Sequence, residues 1–265
     1  MMNNIIIGKY VPGSSLIHRM DPRAKLILIF AFVFIVFIAN NFLTYALLGV
    51  FTLFVVLMTK LPLRFLIRGL RPVLWIILFT FFLHLIVTKE GEVLIDLRFM
   101  KIYEEGLKQG IYISLRFLYL ILITTILTLT TTPIEITDGM ESLLGPFGKL
   151  GLPVHELALM MSISLRFIPT LMEETDKILK AQMARGVDFT GGPVKDRFKA
   201  VVPLLVPLFI SAFKRAEELA TAMEARGYNG GEGRTKLRQL KWGILDTSLL
   251  ALLVVLGVAL LYLRT

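Results

Sequence analysis

The chain has 265 residues, of which 55% are hydrophobic, and its formal net charge is +9. So high an apolar content excludes an ordinary soluble globular domain, and the absence of cysteine excludes disulfides, thiolate metal sites and thiol nucleophiles. A positive charge can indicate nucleic-acid binding, but in an apolar chain it is more typical of cytoplasmic loops beside anionic lipids. We therefore expect the lipid bilayer as a partner, and no nucleic acid.

Five apolar blocks have the length expected of membrane-spanning helices, which cross about 30 Å of hydrocarbon at about 1.5 Å per residue. The blocks lack the period-two alternation of a membrane β-barrel. The predicted fold class is all-α, a polytopic helical membrane protein with about five spans and a domain of long helices before the last span. The five blocks are residues 25–39, 42–58, 72–87, 111–128 and 248–263.

The charges of the loops indicate an orientation in the membrane. Residues 1–25 and 60–71 are mainly basic, whereas residues 88–110 carry more acidic than basic side chains. Because basic loops stay on the cytoplasmic side, we expect a cytoplasmic N-terminus and an external 88–110 loop. The predicted domains are residues 1–131 with four spans, a cytoplasmic or membrane-interface domain of residues 132–243, and a final span in residues 244–265.

Helix-start signals begin with Asp21-Pro22, where the carboxylate can cap the helix and proline suits its first turn. Residues 61–70 read as a short interfacial helix with Arg64, Arg68 and Arg71 on one side. Residues 132–135 (TPIE) have the form of a capping box. We expect helices from Pro133 to before Gly145, from near Pro153 to Gly186, and from near Val194 to Gly227, with kinks at internal prolines.

The two long helices end in nearly the same motif, A-x-x-A-R-G. We call residues 181–186 (AQMARG) the first tip and residues 222–227 (AMEARG) the second tip. Arg-Gly is an ordinary helix end, since glycine adopts the left-handed cap and arginine suits the negative helix terminus. Capping does not require the matched alanines, which would let each tip lie deep in a partner's groove. The predicted docking residues are Ala181, Ala184, Arg185, Gly186, Ala222, Ala225, Arg226 and Gly227.

Charged residues within apolar runs are rare in membranes and need a partner. Arg116 lies about two turns into the fourth block, so we expect it to reach the outer interface. Arg166 is expected at the cytoplasmic end of its helix, where it holds the helix pair or binds an acid such as Glu173 or Glu174. Because those two acids lie two turns further on, a partner on another helix is favoured. We assign structural roles to Asp21, Pro22, Arg166 and Pro169.

No catalytic, cofactor or metal site is predicted. The segment most similar to a phosphate-binding loop, residues 145–150 (GPFGKL), has the wrong spacing and lacks the hydroxyl residue. The three histidines, His18, His84 and His155, are scattered and form no metal-ligand pair. We therefore expect a chain that is not an enzyme.

With these motifs in hand, the chain resembles the transmembrane T component of energy-coupling factor (ECF) transporters, the prokaryotic importers of vitamins and micronutrients. The resemblance extends over residues 18–227, and the paired tips are its most specific part. The other segments that carry it are residues 18–25 (HRMDPRAK), 131–133 (TTP), 152–156 (LPVHE) and 165–169 (LRFIP).

The resemblance implies a non-catalytic coupling subunit in a prokaryotic plasma membrane. In this family the T component joins two ABC-type ATPases, which bind ATP and Mg²⁺, to a membrane-embedded, substrate-binding S component. Arg185 would dock in one ATPase and Arg226 in the other, and ATP-driven motion would pass through the two helices to the S component. The choice of vitamin would belong to the S component.

Two other classes of function are weighed against the coupling subunit. A self-contained secondary transporter predicts inverted repeats and carboxylates within the membrane, whereas the first four spans contain neither Asp nor Glu. An intramembrane enzyme needs a nucleophile, a paired-Asp or a metal constellation at membrane depth, and the sequence offers none. A helix-capping role alone for the two tips also stays open.

Overall fold

The computed structural model describes residues 10–97, 100–189, 191, 193–230 and 239–264. The chain is built almost entirely of helices, as predicted. The helices are α1 (Leu16–Arg19), α2 (Pro22–Val36), α3 (Phe42–Thr59), α4 (Leu63–Val87), α5 (Glu104–Thr130), α6 (Pro133–Leu144), α7 (Val154–Ala184), α8 (Val194–Ala225) and α9 (Ile244–Leu263). A 3₁₀ helix, Gly145–Leu150, follows α6.

Sequence signals located most helix ends correctly. The Asp21 carboxylate accepts the backbone N–H of Arg23 and caps α2. The capping box before α6 is confirmed, because the N–H of Thr132 donates to Glu135 over 3.0 Å and the N–H of Glu135 donates to the Thr132 hydroxyl. These ends depend on hydrogen bonds between near neighbours in the chain, which explains why local motifs predict them.

Two features of the fold differ from expectation. The predicted short helix over residues 61–70 is not separate: residues 63–70 are the first part of α4, which continues through Pro72. The reason is the long packing of α4 on α5, where a Cβ at Gly69 would lie only 2.7 Å from Thr125. The loop between α4 and α5 contains an antiparallel hairpin, β1 (Val93–Leu97) and β2 (Met100–Tyr103), which no sequence pattern indicated.

Five helices in the described part of the chain are long and apolar enough to span a membrane, as predicted in number. Four of them, α3, α4, α5 and α9, correspond to predicted apolar blocks, and the fifth is α7. The first predicted block, residues 25–39, falls largely in α2, which has only 15 residues. A helix of 15 residues is only about 22 Å long, below the thickness of the hydrocarbon core. Its length therefore sets α2 apart from the five helices that are long enough to span a membrane.

The chain divides into two compact units. Among the described residues, we call those within 10–140 and 239–264 the bundle unit, and those within 141–230 the helix-pair unit. The core of the bundle unit lies where α2, α3, α5 and α9 meet, and its most deeply buried apolar side chains include Phe32, Val36, Leu48, Leu253 and Leu260. Because lipid tails are as apolar as these side chains, close van der Waals packing and hydrogen bonds between the helices stabilise the bundle within a membrane.

Helix α9 is held at both ends by residues from the beginning of the chain. At its first turn, the Asp246 carboxylate accepts the backbone N–H of Asp21 over 3.0 Å. At its last turn, the side-chain amides of Asn40 and Asn41 donate to the carbonyls of Arg264 and Leu263, over 2.7 and 2.6 Å. The α2–α3 link thus satisfies carbonyls that the end of α9 leaves unpaired, and the first turn of α9 satisfies the N–H of the residue that caps α2.

Candidate functional site

The two tips lie in the helix-pair unit, at the ends of α7 and α8. These helices run antiparallel, because the Gln182 amide donates to the Pro203 carbonyl over 3.1 Å while the Arg215 guanidinium donates to the Glu174 carboxylate over 3.1 Å. Ser211 also donates to Glu174. Each tip is the C-terminal end of its helix, so the two tips lie at opposite ends of the helix pair.

The first tip ends α7 in a Schellman cap. Gly186 has φ = +87°, its N–H donates to the Met183 carbonyl over 3.0 Å, and the N–H of Val187 donates to the Gln182 carbonyl over 3.1 Å. This pair of bonds satisfies carbonyls that a helix end otherwise leaves unpaired, and it needs a residue that tolerates positive φ.

The second tip repeats the same cap. Gly227 has φ = +75°, its N–H donates to Glu224 over 2.9 Å, and the N–H of Tyr228 donates to Met223 over 3.0 Å. The similarity of the two motifs is therefore a similarity of backbone geometry, and each motif presents its arginine at the C-cap position.

All eight predicted docking residues are exposed. Within the described part of the chain, neither Arg185 nor Arg226 forms an ion pair with an acidic side chain. Each tip combines a planar, bidentate cation with two alanines that occupy little space. The structure thus places these residues in two separate exposed tips, each suited to enter a groove with carboxylate or carbonyl groups.

The surroundings of the tips differ at one matched position. Gln182 of the first tip is only 9% exposed, and its amide binds the Pro203 carbonyl of α8. Pro207 lies four residues after Pro203 and has no N–H, so that carbonyl lacks its normal helical partner. Met223 holds the matched position in the second tip and lines an apolar groove.

Sequence reasoning missed Gln182. The free carbonyl of Pro203 was predictable from the Pro203–Pro207 spacing, but which side chain fills it depends on how α7 packs on α8. The bond makes the first tip part of the contact with the proline-bearing segment of α8.

An apolar groove of about 320 Å³ lies between α7 and α8. Three alanines of α8 form one side at four-residue spacing, Ala212, Ala216 and Ala220, and Phe167 and Leu171 of α7 form the other. Arg215 closes one part of the groove, with its guanidinium carbon 5.9 Å from the Phe167 ring centroid. Small side chains on α8 leave room that larger residues would fill.

Among the residues assigned structural roles, Asp21 lies at a buried polar junction of the bundle unit. It is 3% exposed, and its carboxylate forms an ion pair with Arg23 over 3.0 Å. Beside it, the Lys25 ammonium donates to the Thr130 carbonyl over 3.1 Å and to the Thr131 hydroxyl over 3.2 Å. Asp21 and Pro22 begin α2 at this junction, a position that favours a structural role.

Arg166 and Pro169 lie on the exposed surface of α7, and the acidic partner expected for Arg166 is not among the described contacts. Glu174, one of the acids considered for it, binds Arg215 instead. Arg116 donates to the Ala39 carbonyl over 3.2 Å and to the Tyr45 hydroxyl over 2.9 Å, beside the α2–α3 link. The structural roles of Arg166 and Pro169 stay predictions.

Comparison with known proteins now decides the family. A family model described as "Cobalt transport protein" (CbiQ) matches residues 13–237. The chain belongs to the CbiQ family. Its relatives include the energy-coupling factor transporter transmembrane protein EcfT of Bacillus subtilis strain 168, which is 71% identical over 264 residues and the full length of both chains.

Further members of the CbiQ family carry the same EcfT designation. The protein of Exiguobacterium sibiricum is 58% identical over 260 residues, which cover 98% of this chain and 99% of the relative. That of Lactococcus lactis subsp. cremoris is 50% identical over 260 residues, 98% of each chain. The resemblance to the transmembrane T component is confirmed, and the chain is an all-α membrane protein of this family.

Proposed function

We propose that this chain is the non-catalytic coupling subunit of an ECF-type importer, and that its two tips dock into two ABC-type ATPases. The observation that carries the proposal is the repeated exposed cap: the same A-R-G end, with the same pair of hydrogen bonds, occurs at both ends of one helix pair. A single binding partner has no need of two matched tips, whereas a pair of similar subunits does.

The spacing of the tips supports two separate partners. Gln182 of the first tip lies beside Pro203, and Arg226 of the second tip is 23 residues further along α8. At 1.5 Å per residue, this places the tips about 35 Å apart, roughly the diameter of a small domain. One socket cannot hold both tips, but two adjacent ATPase subunits can.

The antiparallel arrangement also supports a particular placement in the cell. If α7 and α8 crossed the bilayer, their C-terminal tips would face opposite sides of the membrane. Both tips meet cytoplasmic ATPases only when the pair lies along the membrane surface. The charged second half of α7, with Glu173, Asp176 and Lys180 among its residues, favours that placement over a span despite the apolar first half.

Coupling would follow from the ties between the helices. The Gln182–Pro203 bond and the Glu174–Arg215 ion pair hold α7 against α8 at two levels. When ATP draws the ATPases together, the two tips would move relative to each other and the helices would pivot at these ties. The groove between them would change shape, and we propose that this motion reaches an S component that carries the vitamin.

Co-purification from cells that express the chain with its host's paired ABC ATPases tests the proposal. We expect the wild-type chain to retain both ATPases in detergent and Arg185→Glu/Arg226→Glu to lose them, because the reversed charges repel an acidic groove. The matched control is Lys177→Glu/Lys214→Glu, which reverses two exposed charges on the same helices.

Equal retention by the tip variant and the control would contradict docking through the arginines. The chain purified alone should show neither ATP hydrolysis nor uptake of substrate into vesicles. Uptake by the chain alone would instead favour a self-contained secondary transporter.

A further inference from the structure

We propose that α4 carries a binding site for the phosphate headgroup of an anionic phospholipid, formed by Arg64, Arg68 and Arg71 together with Trp75. These residues are spaced at i, i+4, i+7 and i+11, so they lie on one face of the helix within about 60° of each other. All four are exposed, and Trp75 is 78% exposed. We call this face the arginine stripe.

No acidic side chain among the described residues neutralises the arginine stripe. After Asp21, the sequence contains no acidic residue before Glu90, and no described side chain forms an ion pair with the three arginines. Like charges spaced by three and four residues on a helix repel each other. A bound anion removes that repulsion, and the planar fork of arginine matches the geometry of a phosphate group.

The rest of the same face selects a lipid over a soluble anion. Beyond Trp75 the stripe continues to Leu78 and Phe82, which are 49% and 55% exposed. The opposite face of α4, with Leu66 buried and Gly69 against Thr125, packs on α5. The exposed face therefore passes from basic to aromatic to apolar along its length, the order of headgroup, interface and acyl chain in a bilayer.

The dimensions of the stripe agree with that order. Arg64 and Arg71 are about 10 Å apart along the helix axis, and Trp75 is about 6 Å further on. Tryptophan is enriched at the depth where headgroups meet hydrocarbon, and arginine side chains extend from there towards the phosphates. The site thus holds the phosphate at its basic end while an acyl chain lies along Leu78 and Phe82.

Tryptophan fluorescence tests this site directly, because the chain has only two tryptophans. Trp242→Phe leaves Trp75 as the sole reporter and keeps an aromatic ring beside Arg23. This chain alone is reconstituted in phosphatidylcholine vesicles that contain brominated phosphatidylglycerol or, at equal mole fraction, brominated phosphatidylcholine. We expect stronger quenching of Trp75 by phosphatidylglycerol, with an enrichment of about fivefold for each arginine that binds its phosphate.

Matched variants separate the site from the total charge of the protein. In the variant Arg64→Gln/Arg68→Gln/Arg71→Gln, the two brominated lipids should quench Trp75 equally. Lys177→Gln/Lys199→Gln/Lys214→Gln removes the same number of exposed positive charges elsewhere and should keep the preference. If the triple arginine variant inserts in the wrong orientation, Arg68→Gln keeps the neighbouring charges and should show an intermediate preference.

Equal quenching by the two lipids in the Trp242→Phe chain, or a preference that survives loss of the three arginines, would overturn the proposal. Inorganic phosphate provides a further test. If it abolishes the preference where potassium chloride of equal ionic strength does not, the arginines bind phosphate as tightly without an acyl chain, and the assignment of Leu78 and Phe82 to the lipid site is wrong. No ATPase is present in these measurements, so their outcome is independent of the proposed coupling function.

Discussion

The first and second tips have the same backbone geometry but differ in their contacts with the neighbouring helix. Both end in the same Schellman cap with glycine at positive φ, but Gln182 of the first tip binds the Pro203 carbonyl of α8 while Met223 of the second tip lines an apolar groove. The comparison shows that the motif determines the cap and its arginine, whereas packing determines how each cap connects to the rest of the helix pair. The two tips are alike in their exposed caps and differ in how they contact the neighbouring helix.

The largest effect is expected from breaking what the tips share. Gly186→Val and Gly227→Val each put a β-branched residue at positive φ, which costs about 2–3 kcal/mol of cap stability. No atom lies within 4 Å of the added Cβ at either position, so the cost is backbone strain alone. Hydrogen exchange should show loss of protection at the amides of Val187 and Tyr228, to a similar extent in the two variants.

Gly145→Val is the control for that experiment, because Gly145 also has open space around it but no positive φ. It should leave both caps protected. Retained protection at Val187 in Gly186→Val would mean that the cap does not depend on glycine, and the shared geometry of the tips would need another cause.

A smaller effect should come from removing what the tips do not share. Gln182→Met leaves the Pro203 carbonyl without its donor, at a cost of about 1–2 kcal/mol. The reciprocal change, Met223→Gln, deprives no backbone group of a partner and should cost less. Hydrogen exchange across the last turns of α7 and around Pro203 of α8 should report faster opening in Gln182→Met. Equal effects of the two substitutions would contradict the asymmetry.

The smallest effect is expected at the Glu174–Arg215 ion pair, whose side chains are 24% and 28% exposed. Glu174→Gln should destabilise the contact between α7 and α8 by less than about 1 kcal/mol, because water screens partly exposed pairs. The difference from wild type should shrink in high salt. Asp176→Asn, which removes a more exposed i,i+4 pair with Lys180, is the matched control and should have almost no effect.

If Glu174→Gln destabilised the contact between α7 and α8 more than Gln182→Met does, the assigned order of these two interactions would be reversed. It would make the ion pair, and not the glutamine, the principal attachment between the helices.

Sequence predicted the parts of this molecule that near neighbours in the chain determine. The capping box at Thr132, the start of α2 at Asp21 and the glycine caps at Gly186 and Gly227 all depend on hydrogen bonds within a few residues. The two exposed tips followed from the same local signals, which is why the candidate docking residues were accessible to sequence reasoning at all.

Contacts between distant residues were not accessible in this way. Pro72 favours a break, yet α4 continues because α5 packs along it, and no local pattern reports that packing. Gln182 likewise reads as a polar residue on a charged helix until α8 brings the Pro203 carbonyl beside it. Arg116 of α5 donates to the hydroxyl of Tyr45, 71 residues earlier, because α5 packs on α3.

The hydrogen bonds at the two ends of α9 have a consequence for biosynthesis. Asp21 receives its partner from Asp246, 225 residues later, and Asn40 and Asn41 receive theirs from the last turn of the same helix. The first helices to leave the ribosome therefore cannot complete their hydrogen bonds until the final helix has been translated and inserted. A chain that stops before α9 leaves the backbone N–H of Asp21 and the side-chain amides of Asn40 and Asn41 without these partners, so α9 completes the hydrogen bonding of the helices that precede it by more than 200 residues.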